Sequence, residues 1–142
     1  MTTNTKLLKE LIYNKLNNSG TLQTLLGGTG HVRHENPMQF SEYPLVVYNI
    51  NSQISEPKNY NVTQGSNITH SRLIIQSYSN NTDSAEADSL DDCVYGLFHG
   101  QMLSASGVQV YSCYRANRTA LYDSDVRVWS ITSKYDLFSA TT

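Results

Sequence analysis

Charge is scarce in this chain. Asp, Glu, Lys and Arg make up 15% of its 142 residues, against about a quarter in ordinary soluble domains. Asn, Ser, Thr and Gln carry the polarity instead, and such a surface is easier to desolvate against a partner. The net charge of −2 leaves no basic footprint for nucleic acid and none for an anionic membrane surface. Cysteine is nearly missing too. The pattern places Cys93 on a helix and Cys113 on a strand. Both are expected to be free thiols, because "MTTNTKLLKELIYNKL" is not a secretory signal and folding is expected in a cytoplasm. No apolar run approaches the length of a membrane span. Asn61-Val62-Thr63 and Asn67-Ile68-Thr69 spell sequons, but without export they read as accidents of an Asn- and Thr-rich chain.

Reactive motifs are missing as well. Of the four histidines, His31 and His34 stand three apart in a Gly/Pro-rich loop, without the Cys or acidic residues that would complete a metal set. His99 precedes Gly100 at a helix end, where the dipole favours an imidazolium. His70 falls in the polar half of a strand. Asp91 and Asp92 are adjacent on a helix and point about 100° apart, so they are no facing carboxylate pair. "GGTG" at Gly27 to Gly30 lacks the Lys-Ser/Thr of a phosphate loop. There is no G-x-S-x-G and no H-E-x-x-H. Tyrosines could stack bases, but the flanking cations are too few. "YDSDV" (Tyr122 to Val126) reads as a turn built by Asp123 and Ser124. No catalytic residue, metal site or cofactor is expected.

Strand and helix patterns are plentiful. Leu7, Leu8, Leu11, Ile12 and Leu16 form the apolar stripe of a first helix, ended by "NNSG" with Gly20 as its closing residue. "TLQTLL" is a helical turn or short second helix, and Gly30 to Tyr43 is a loop. "LVVYNINSQIS" and "ITHSRLIIQSYS" are strands of a hairpin, buried at Leu45 to Tyr48 and Leu73 to Ile75 and polar toward the tip. In "NNTDSAEADSLDDCVYGLFHG", Asp83 and Glu86 make a capping-box pattern. Ala87, Leu90, Val94, Leu97 and Phe98 form the buried stripe of that helix, and Gly100 closes it. "GVQVYSCYR" is a third strand, "ANRTALYDSD" a turn, and "VRVWSITSKYDLF" a fourth strand with Trp129 turned toward the helices. One break in its alternation predicts a bulge or a change of burial partner. The expectation is a single α+β domain over residues 1–142. Its order is α-β-β-α-β-β, with one antiparallel four-stranded sheet and helices packed on one face.

Taken in order, "LLGGTG", "YPLVVYNI", "SRLIIQSYS", "SAEADSLDDCVYGLF", "GVQVYSCYR" and "YDSDVRVWSITSKYDLF" resemble the tail-completion, or tail-terminator, proteins of long-tailed bacteriophages. The resemblance implies a structural virion subunit made in the host cytoplasm. It implies a ring, usually of six copies, that caps the tail tube and joins it to the neck or portal of the head. The implied partners are other copies of the chain, the tail tube protein and neck or portal adaptors. An alternative of another class is a small cytoplasmic protein- or ligand-binding module without catalytic activity.

A structural subunit needs contact surfaces in place of an active site. The hairpin tip, Pro57 to Asn67, is expected to be one, with Tyr60 and Val62 as apolar anchors and Lys58 and Gln64 at a polar rim. Ser130, Thr132 and Lys134, on the outer face of the last strand, are expected to meet a neighbour or a lumen.

Overall fold

The structure, a computed structural model, describes residues 4–27, 31–34, 43–56, 68–105 and 107–141. Three helices, α1 (Asn4–Asn17), α2 (Gly20–Leu26) and α3 (Ala85–Phe98), accompany six strands: β1 (Val32–His34), β2 (Leu45–Glu56), β3 (Ile68–Ser79), β4 (Leu103–Ala105), β5 (Val108–Asp123) and β6 (Val128–Thr141). The strands form one sheet in the order β1-β2-β3-β6-β5-β4, curled into a half-barrel. It is mixed, because β1 runs parallel to β2 while the other neighbours are antiparallel.

This corrects the expected antiparallel four-stranded sheet and its α-β-β-α-β-β order. β1 lies in the stretch expected as loop, β4 follows α3 where no strand was expected, and α2 is a separate helix. Strands of three residues are too short to display an alternation; pairing creates them. β1 is held by the register Val32↔Val46 to His34↔Tyr48 and by the Val46 N–H donating to the His31 carbonyl at 2.9 Å.

In α1 the stripe residues Leu8, Leu11, Ile12 and Leu16 are buried, with Leu7 packed beside them. Gly20 opens α2 and does not close α1: Ser19 is the N-cap, its Oγ accepting the Leu22 N–H at 3.2 Å. Gly27, at φ 81°, ends α2 in the left-handed conformation that glycine adopts without strain.

The buried face of α3 comprises Ala87, Leu90, Asp91, Val94 and Phe98. The capping box is replaced by another arrangement. Ser84 is the N-cap without a side-chain cap bond, Asp83 accepts from the Ala85 N–H at 3.1 Å, and Glu86 accepts from Ser79 Oγ at 2.7 Å. The acid that would have closed the box instead ties α3 to the end of β3. At the other end, the Gly100 N–H donates to the Cys113 carbonyl at 2.7 Å, which joins the helix exit to β5. Leu97 is only partly buried.

The β2–β3 hairpin pairs as its hydrophobicity demands, with Tyr48↔Ile75 and Ile50↔Leu73. Leu45, Val46, Val47 and Tyr48 are all buried, so this end of β2 is covered on both faces. β6 pairs with β3 without a break from Ser79↔Trp129 to Thr69↔Ser139. Its buried residues are Val128, Ile131, Ser133, Tyr135, Leu137, Ser139 and Ala140, and those facing away include Ser130, Thr132, Lys134 and Asp136. The bulges lie on β5, between Val110 and Ser112 and between Arg115 and Asn117, and not on β6. Each fully buried Leu or Ile in this core stabilises by about 1.5–3 kcal/mol.

Candidate functional site

β5 divides in two. From Val108 to Arg115 it alternates into the core, with Val108, Val110 and Cys113 buried. From Ala116 onward every residue of the strand is exposed. The stretch read as a turn, Ala116 to Asp125, is therefore mostly strand. It stays in register with β6 from Asn117↔Lys134 to Asp123↔Val128, and the turn is confined to 124–127. Asp123 does build that turn, its Oδ1 accepting the Asp125 N–H at 3.0 Å.

A buried carboxylate marks the boundary between the two halves. Asp91 is 1% exposed. It accepts from Arg115 Nη1 at 3.1 Å, from Arg118 Nε at 2.8 Å and from Ser133 Oγ. Arg118 Nη2 also reaches Asp88 Oδ1 at 2.7 Å. Two guanidinium groups thus meet two carboxylates, and the hydrogen bond that Arg118 donates to Asp91, the largest influence, pushes the Arg118 pKa further up. Arg115 lies over the Tyr95 ring at 4.2 Å, and its backbone N–H donates to His99 Nδ1 at 3.0 Å. His99 stacks on Tyr95 at 4.4 Å and meets the edge of Tyr114 at 5.4 Å. His99 Nδ1 is thus a hydrogen-bond acceptor for β5, so the helix-ending residue is tied to the strand.

Beyond the clamp the β5–β6 hairpin is an arm that no helix covers. Leu121 is 63% exposed, Val126 62% and Tyr122 45%. Trp129, expected under the helices, is half-buried at the arm and packs on its register partner Tyr122 at 4.9 Å. Its indole N–H is enclosed and has no acceptor among the described residues.

The outer edge of β5 is also open. β4 pairs only with Val108 to Val110; beyond it the Gly100 N–H takes the Cys113 carbonyl and His99 Nδ1 takes the Arg115 N–H, and among the described residues no strand pairs with the outer edge from Ala116 to Asp123. Tyr111 and Tyr114 add to the exposed large side chains along it. β5 carries no Pro and no Lys, the residues that usually blunt an edge. Its two arginines turn toward α3.

Ser130, Thr132 and Lys134 stand together on the outer face of β6, each half-buried between β3 and the arm of β5. The other expected contacts, Lys58, Tyr60, Val62 and Gln64, lie outside the described residues. The histidines do not converge: His31 Nδ1 is 2.8 Å from the Pro44 carbonyl, His34 lies against Tyr48, and His70 stacks on Phe138 with Nε2 3.2 Å from Asp136. No group of three or more His, Cys, Asp or Glu able to hold a metal occurs among the described residues. A shallow groove of about 520 Å³ runs between α1, the end of α3 and β4, lined by Leu11, Lys15, Leu97 and Met102 among others. Sequence reasoning missed Asp91 as the clamp. The signal was there: it falls four after Ala87 and three before Val94, on the apolar stripe.

No family model matches the chain, and no curated protein sequence does. Among solved structures, the chain is similar to one from the virion of a native gene transfer agent particle, with a TM-score of 0.74 and 13% identity, covering 98% of this chain and 99% of that one. A second solved chain matches with a TM-score of 0.57 and 10% identity, over 99% of this chain and 97% of its own length. At such identities the likeness is one of fold: the chain shares, end to end, the architecture of a chain in a virion particle.

Proposed function

We propose that this chain is a structural subunit of a phage-like virion, forming a ring that caps the tail tube and joins it to the neck or portal. The observation that carries this reading is the match over nearly the full length of both chains to a virion component. The whole domain, and not a common substructure, has its counterpart in a particle. The side chains agree with a non-catalytic role. Asp91, Asp88, Arg115 and Arg118 are spent on one another, and the exposed apolar residues gather on a sheet edge, where contact is the available chemistry.

In this reading the neighbouring copies, the tail tube protein and the neck or portal adaptors are the partners. The tip from Pro57 to Asn67 is one contact, with Lys58, Tyr60, Val62 and Gln64. The outer face at Ser130, Thr132 and Lys134 is another. The test is electron microscopy and mass measurement of the purified chain, alone and mixed with the tail tube protein of the same particle. Closed rings seated on tube ends are expected. A chain that neither closes into rings nor binds tube or neck proteins contradicts the proposal.

A further inference from the structure

We infer that the β5–β6 arm of one copy of this chain docks in the groove between α1, α3 and β4 of the next copy. Leu11, Leu97 and Met102 make that groove apolar, and Met102 is 70% exposed. Lys15 is the only charged residue lining it among the described residues. β4 borders it through Leu103, Ser104 and Ala105, and β4 is the last strand of the sheet. One edge of β4 is therefore without a strand beside it. Such an edge is a template for an added strand, and main-chain bonds give strand addition its affinity. The guest that suits this groove is extended, apolar and acidic.

The arm has those three properties. It is paired strand as far as Asp123. Leu121, Tyr122 and Val126 are its exposed apolar side chains. Two exposed acids, Asp123 and Asp125, against the single cation Arg127 leave its tip acidic. Leu121 and Val126 are the anchors that enter beside Leu97 and Met102. An aspartate of the tip then meets Lys15, and that complementarity selects the partner more than it adds affinity.

The arm does not reach its own groove. β4 pairs with Val108 to Val110, at the start of β5, and the arm tip follows Asp123, at its end. A strand of 16 residues, at about 3.3 Å each, puts roughly 50 Å of extended chain between the two. Pairing with β6 keeps the far half of that strand from folding back. The guest is thus a second copy. The contact joins two different patches, so it is heterologous and repeats head to tail, as a ring requires. The inference rests on the proposed ring and names the surfaces that build it.

The experiment is disulfide trapping in the full chain carrying Val126→Cys and Met102→Cys together. Both positions are exposed. Under mild oxidation the double variant should form a ladder of linked copies on non-reducing gels. Neither single variant should, because residue 126 of one copy meets residue 102 of another and not its own counterpart. The unsubstituted chain, with Cys93 half-buried and Cys113 buried, should stay unlinked. Independently, Leu121→Lys should lower the mass of the assembled species at equal concentration and leave the melting curve unchanged. An assembled mass that Leu121→Lys does not alter overturns the inference. Rings whose double variant gives no ladder also overturn it, while leaving the proposed function standing. A ladder from chains that form no ring supports the contact and contradicts the proposed function. A chain that stays single at every concentration, alone and with tail tubes, overturns both.

Discussion

The two halves of β5 are one continuous strand against one partner, β6, yet they live in different environments. The first half alternates into a core and its thiol is sealed. The second half exposes both faces and its outer edge. Tyr and Arg occur in both halves. What separates them is the cover that α3 supplies. Its buried face supplies Ala87 to Phe98 to the first half, and its only polar member, Asp91, ends that cover with a clamp on Arg115 and Arg118. A strand can therefore be extended beyond its core by pairing alone.

The largest way to break this comparison is to remove the clamp. Asp91→Ala leaves Arg115 over the Tyr95 ring without its carboxylate and Arg118 with Asp88 alone. Loss of one partner from a buried pair costs about 3–5 kcal/mol. Chemical denaturation should show that loss, and a change under about 1 kcal/mol would mean the boundary lies elsewhere.

Next comes the cover itself. Leu90→Ala should cost about 2–5 kcal/mol. Leu97→Ala should fall below that range, because Leu97 is half-buried beside the groove. Equal midpoints for the two variants would contradict the placement of α3.

A smaller effect separates the halves by pH. Burial pushes the Cys113 thiol up to about 12, above its unfolded value of about 8.5. Its contribution is complete below that unfolded value and is lost as pH rises toward 12. The fall in denaturation midpoint above pH 8.5 should flatten in Cys113→Val, until buried Tyr48, itself pushed up to about 12 by burial, joins above pH 10. An unaltered slope in Cys113→Val would show that this part of β5 is open to water.

Much of this was legible in the residues. The stripe of α1, the two-faced burial of Leu45 to Tyr48, the hairpin of β2 with β3 and the buried Leu90 and Val94 follow from periodicity. The short strands β1 and β4 do not, because their existence depends on partners distant in sequence. Ala116 to Asp123 reads as a turn because Asn117, Arg118 and Asp123 are poor strand formers, and only the unbroken β6 beside them imposes extension. Trp129 was misplaced because alternation gives the face of a strand but not where the covering helix stops. Alternation puts Ser130, Thr132 and Lys134 on the outer face of β6, and the structure has them there. The β5 edge was not legible, since an edge is a property of topology.

The most direct test is hydrogen exchange along β5. Amides from Val108 to Arg115 should be protected. Amides from Asn117 to Asp123 that point away from β6 should exchange fast in dilute protein. An outer half as protected as the inner half would contradict the account.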